Sequence, residues 1–174
     1  MGHRDSLYRL SGTIELDDAF LGGKHKGKRG RGAEGKSPVI VACENRHKKA
    51  GFIAIEAVEK INFPAVNDFV EKHLLTNQKV RTDGVAALTI INKTQLHIPK
   101  VTPSELVDEW LPWVHIAIGN LKAFLLGTFY GVTSRYLQEY LNEFCYRFNR
   151  RFVEKEIPNR LLNIAIIHTP ILLA

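Results

Sequence analysis

Two aspartates in this chain sit where phosphoryl chemistry would want them. Asp17 ends the run Gly12-Thr13-Ile14-Glu15-Leu16-Asp17, in which Ile14 and Leu16 alternate with polar residues at the period of a half-buried strand. Ile14 and Leu16 are expected to face the core and Asp17 the other side. Asp83 follows the short strand-like run Lys79-Val80-Arg81-Thr82 and precedes Gly84. Read alone, Asp83-Gly84 is ordinary turn chemistry; at a strand tip it is also where sites of α/β sheets gather. Carboxylates at two strand ends beside a cationic segment supply what metal-dependent chemistry on a phosphodiester needs: hard oxygen donors for a cation, and positive charge for the phosphates.

The cationic segment lies between them. Six of the 24 lysines and arginines, Lys24, Lys26, Lys28, Arg29, Arg31 and Lys36, fall within thirteen positions that contain one acid, Glu34, and several glycines. Such a stretch offers no apolar face, so it reads as a loop: either a solvated hairpin tip or a segment that contacts phosphates. The net charge of +6 and a pI near 9.4 favour an anionic partner, nucleic acid before membrane.

Other chemistries fit poorly. Cys43 and Cys145 are far apart, which excludes a disulfide framework or a zinc ribbon built from this chain. The seven histidines show no metal-ligand spacing. No signal-peptide pattern follows Met1, and no apolar run is long enough to span a bilayer, so a cytoplasmic protein is the default expectation.

The elements that must hold the aspartates follow in order. Pro38 to Cys43 reads as a buried strand and Gly51 to Val58 as another, making an antiparallel meander with the first. From Phe63 the spacing becomes helical, with Val66, Phe69, Val70 and Leu74 on one face and Pro64 in the first turn. The Asp83 strand comes next, and Val85 to Leu88 could open a helix. Pro103 to Val114 reads as a short helix or irregular connection. Ile116 to Leu126 reads as a helix punctuated by Gly127 and Gly131. Thr133 or Ser134 is expected to cap a last long helix, whose Leu137, Tyr140, Leu141, Phe144 and Phe148 repeat at core spacing. Its end carries Arg147, Arg150 and Arg151, suited to the helix dipole and to phosphates. The tail Leu161–Ala174, almost wholly apolar, is expected to pack on the domain or on a partner. Three antiparallel strands, a helix and a strand beside the first make an α/β, ribonuclease-H-like order, with a mixed sheet flanked by helices.

That order resembles the DDE transposases of bacterial insertion sequences, in the integrase and ribonuclease-H-like superfamily, and within them the group whose catalytic domain normally follows a zinc ribbon. The resemblance is carried by Glu15-Leu16-Asp17-Asp18 with Gly22-Gly23 behind it, Lys28-Arg29-Gly30-Arg31-Gly32, Thr82-Asp83-Gly84 and Trp113-Val114-His115 leading into Asn120-Leu121-Lys122. It continues through Leu126-Gly127-Thr128, Gly131-Val132 and Glu143-Phe144 to Arg147-Phe148-Asn149-Arg150-Arg151. It implies a catalytic set of Asp17, Asp83 and Asn120, the last standing where a glutamate is usual, that holds two Mg²⁺ or Mn²⁺ ions. It further implies cleavage and strand transfer of DNA at transposon ends and target, and a dimer or larger synaptic assembly acting at the bacterial nucleoid. Lys24, Lys26, Lys28, Arg29, Arg31, Lys36, Lys122, Arg150 and Arg151 are the expected DNA contacts. The expected layout is an amino-terminal remnant at 1–11, a catalytic domain at 12–152 and a tail at 153–174. With no zinc ribbon before the first strand, the chain looks like a fragment or a shortened reading frame, and the alternative function is DNA binding by a weakly active or inactive remnant.

Overall fold

The computed structural model describes residues 8–22, 36–84, 95–100, 107–129 and 132–167. The helix expected from Val85 lies outside these residues. Strands β1 (Thr13–Leu21), β2 (Ser37–Asn45) and β3 (Ala50–Ala57) form the meander, followed by helix α1 (Phe63–His73) and strands β4 (Lys79–Thr82) and β5 (Leu96–Pro99). Helices α2 (Val107–Trp110), α3 (Pro112–Phe129), α4 (Leu137–Asn149) and α5 (Ile157–Ile167) complete it, with 3₁₀ turns before and after α4. The sheet order is β3-β2-β1-β4-β5, antiparallel on the meander side and parallel where β1 meets β4 and β4 meets β5.

β1 is central, and both of its faces are covered. Ile14 and Leu16 join Val66, Phe69, Val70 and Leu74 of the α1 side in one core. The opposite face, carrying Ala19 and Leu21, meets Val114, Ala117, Leu121 and Leu125 of α3 and Leu141 and Phe144 of α4 in another. The side of β1 that bears Asp17 is therefore not a solvent face, as strand alternation suggested, but the floor beneath a second helical layer.

α1 begins as its sequence dictates. Asn62 is extended at the cap and its Oδ1 accepts the amide of Ala65 at 3.0 Å, with Pro64 in the first turn where no amide partner is needed. Gly127 does not end α3, which runs on to Phe129; a side chain there would meet nothing, so the glycine costs only its backbone entropy, about 1 kcal/mol. At the start of α4 Thr133 makes no side-chain cap, and a 3₁₀ turn at Ser134–Tyr136 leads the chain in instead. The aromatic residues of α4 are core: Phe124 touches Phe129 and Phe144, Phe129 touches Tyr140, and Phe144 touches Phe148.

α4 also deals with the exposed hydrogen-bonding edge of β3. Asn149 Oδ1 accepts the amide of Ile53 and its Nδ2 donates to the Ile53 carbonyl, at 2.8 and 3.0 Å. Gln138 repeats the pairing on Ala57 N and Ile55 O, at 2.9 and 3.3 Å. Two side-chain amides thus stand in for the missing neighbour strand, which blunts an edge otherwise open to another chain. By contrast α5 buries no residue, and Leu162, Ile166 and Ile167 are exposed.

Candidate active site

Parallel pairing of β1 with β4 aligns Thr13 with Lys79, Ile14 with Val80 and Glu15 with Arg81. Carried two residues further, the same register would set Asp17 level with Asp83, which follows β4 directly. Gly84, at φ 85°, then turns the chain away in a conformation that favours glycine, so that Asp83 is left at the strand tip. Thr82 steadies this corner. Its hydroxyl lies 2.8 Å from His97 Nε2 and accepts the Gly84 amide at 3.3 Å, while its carbonyl accepts the indole N–H of Trp110 at 3.0 Å. Burial holds the His97 imidazole below its usual pKa, which favours the neutral ring at this contact.

Asp17 and Asp83 open into one depression of about 580 Å³, lined also by Asp18, Lys36, His115, Ile118, Gly119 and Lys122. Helix α3 forms one wall. His115 Nε2 lies 3.2 Å from Asp17 Oδ2, and Asp17 Oδ1 accepts the amide of Asp18 at 2.8 Å. The helix is fixed at its start by Glu15, one strand repeat before Asp17. Glu15 is wholly buried; its Oε2 accepts the amides of Trp113 and Val114 at 2.7 and 2.8 Å, and its Oε1 accepts Asn45 Nδ2 at 2.6 Å. Burial pushes the Glu15 carboxyl above the usual range, against the pull of those three donors. Cys43, opposite Glu15 on β2, has its thiol pushed up to about 12, by burial first and by the Glu15 charge second.

The expected site residues divide into four groups. Asp17, Asp83, Lys36 and Lys122 share the depression. Asn120 does not line it. Five positions beyond His115 is about 140° round a helix, which turns Asn120 out to solvent, where it is exposed. Arg150 and Arg151 are spent on the fold. Arg150 is 7% exposed, stacks 3.8 Å from the Tyr146 ring and donates to the Tyr146 carbonyl. Arg151 donates to the carbonyls of Gly51, Ala50 and Phe148 and stacks on Phe148. The guanidinium expected to contact phosphate at Arg150 is thus largely buried within the fold. Lys24, Lys26, Lys28, Arg29 and Arg31 lie outside the described residues.

Two residues hold places that the sequence reading did not give them. His115 falls between the stretch read as ending at Val114 and the helix read from Ile116, and entered only through the Trp113-Val114-His115 motif. Glu15 resembles any polar position of an alternating strand; its one signal is that it shares a strand face with Asp17.

The depression is lined by three acids, Asp17, Asp18 and Asp83, an imidazole and two ammonium groups. Carboxylate oxygens are the donors that Mg²⁺ takes, the remaining positions being filled by water or phosphate oxygen. Among the described residues no three His, Cys, Asp or Glu side chains lie close enough together to hold an ion by themselves; Asp17 and Asp83 are the residues that would offer oxygen donors to a cation in the depression. Nor among these residues is any single helix long and apolar enough to cross a membrane.

No curated protein and no solved structure matches the chain. The family described as ISXO2-like transposase domain matches residues 9–149, from just before β1 to the end of α4, and the chain belongs to that family of insertion-sequence DDE transposases.

Proposed function

We propose that this domain cuts DNA at the ends of an insertion-sequence element and joins the cut strand to target DNA, acting through a divalent cation held by Asp17 and Asp83. The observation that carries this reading is that Asp17 on β1 and Asp83, just after the adjacent parallel strand β4, line one depression with α3. The bound cation would supply charge at the attacked phosphodiester and activate a water or 3′-hydroxyl. Asp17 would turn Oδ2 from His115 to the cation. Lys36 and Lys122, on the rim of the same depression, would hold the flanking phosphates without reading bases. Both DNA ends must be engaged together for transposition, so the working form is at least a dimer. Asn120 has no part in this account, because it faces away.

A second reading, DNA binding without cleavage, is favoured by one observation: among the described residues the acids that line the depression, Asp17, Asp18 and Asp83, form with His115 no group of three arranged to hold a metal ion. Nicking and strand transfer with Mg²⁺ or Mn²⁺ separates the two. The first reading expects activity that Asp83→Ala abolishes. Activity unchanged in Asp83→Ala overturns it, and salt-sensitive binding with no cleavage in the unaltered protein establishes the second.

A further inference from the structure

Glu15 is a carboxylate with no access to solvent, and it holds three donors from two other parts of the fold. Trp113 and Val114 are the second and third residues of α3, whose amides have no acceptor within the helix. Both converge on Glu15 Oε2, while Asn45 at the β2–β3 hairpin fixes Oε1. The next residue of the helix is His115, and the next residue on that face of β1 is Asp17. The path Glu15, Val114, His115, Asp17 therefore closes on itself: one carboxylate sets both the height and the rotation of α3 against β1, and the first side chain after the pinned turn reaches the depression.

Stability alone does not explain a charge here. A buried carboxylate carries a desolvation cost that an apolar side chain of similar size does not, and this face of β1 already adjoins the core formed by Val114, Ala117 and Leu121. What an apolar side chain cannot do is accept two helix amides in a fixed direction.

We propose that Glu15 is a positioning residue of the transposase centre, which by pinning the first turn of α3 determines where His115 meets Asp17. This rests on the function proposed above. Asp17 is thereby held facing the depression that it shares with Asp83 before DNA arrives. Glu15 touches neither cation nor DNA; it acts through α3.

The test compares the full-length chain with Glu15→Leu and Glu15→Gln, each also in a His115→Ala background, by single-turnover nicking in Mn²⁺ and by thermal unfolding. Glu15→Leu is close in volume and removes the acceptor. It is expected to lower the unfolding temperature, because the Trp113 and Val114 amides and Asn45 Nδ2 lose their acceptor, while in the folded protein the rate constant at saturating DNA falls by about tenfold or more, with DNA affinity unchanged. Wild-type turnover in a folded Glu15→Leu protein overturns the proposal. Glu15→Gln, which retains an oxygen for the α3 amides, covers the case in which leucine is not accommodated. Its rate is expected to fall by about threefold, and not to fall further when His115 is already alanine. An equal fall in both backgrounds overturns the proposal, since it shows that Glu15 does not act through His115. If the unaltered chain does not nick DNA at all, it is the catalytic reading that fails, and the two failures are thus distinguishable.

Discussion

His115 Nε2 lies 3.2 Å from Asp17 Oδ2, and the two residues come from a helix and a strand that are 98 positions apart in sequence. This contact joins the α3 wall of the depression to its floor. Since Asp17 also shares the depression with Asp83, a shift of α3 along β1 would disturb the aspartate pair, so the geometry of the site depends on helix docking as much as on strand register.

Lys36 and Lys122 are the two described lysines that line this depression. Each substitution to alanine is expected to weaken DNA binding similarly for all sequences and to reduce the slope of log affinity against log salt by about 1. Titrations of labelled duplex at several salt concentrations measure this; slopes unchanged in the double substitution would place the phosphates elsewhere.

Arg150 should behave differently. With its guanidinium buried against Tyr146, Arg150→Ala is expected to lower unfolding stability by about 2 kcal/mol or more, read from urea midpoints. The salt slope of the protein that remains folded should match wild type. A reduced slope with normal stability would restore the phosphate contact that sequence suggested.

Glu56 of β3 ties α1 to the sheet, and its carboxyl is held below the ordinary 4.5, first by the hydrogen bond from His73 at 2.8 Å and, against burial, by Lys72 at 3.0 Å. A carboxyl with a lowered folded pKa contributes stability that is present above the unfolded value and lost as pH falls through the folded one. Glu56→Gln is therefore expected to cost about 1 kcal/mol at neutral pH, the exposed Lys72 adding little, and the difference from wild type should shrink as pH falls below 4.5. Urea melts at several pH values check it; a gap that widens in acid would contradict the assignment.

The strand order and α1 were legible because their information is local: alternation at Ile14 and Leu16, helical spacing from Val66 to Leu74, and a cap and proline at Asn62 and Pro64. Asp83 was legible as a strand tip because glycine follows it. What could not be read depends on how side chains meet in three dimensions. Arg150 looks like any cation at a helix end until Tyr146 covers it, and the direction of Asn120 depends on where α3 starts, which Glu15 sets from 98 or more positions away. Gly127 misled because an open helix face tolerates a glycine that a crowded one would not.

The central claim is that Asp17 and Asp83 form one cation site. Titration with Mn²⁺, followed by electron paramagnetic resonance of the free ion, tests it on the wild type, Asp17→Asn and Asp83→Asn, with circular dichroism to show that each is folded. Both substitutions are predicted to weaken binding by about tenfold or more; Mn²⁺ binding unchanged in either folded variant would contradict the account.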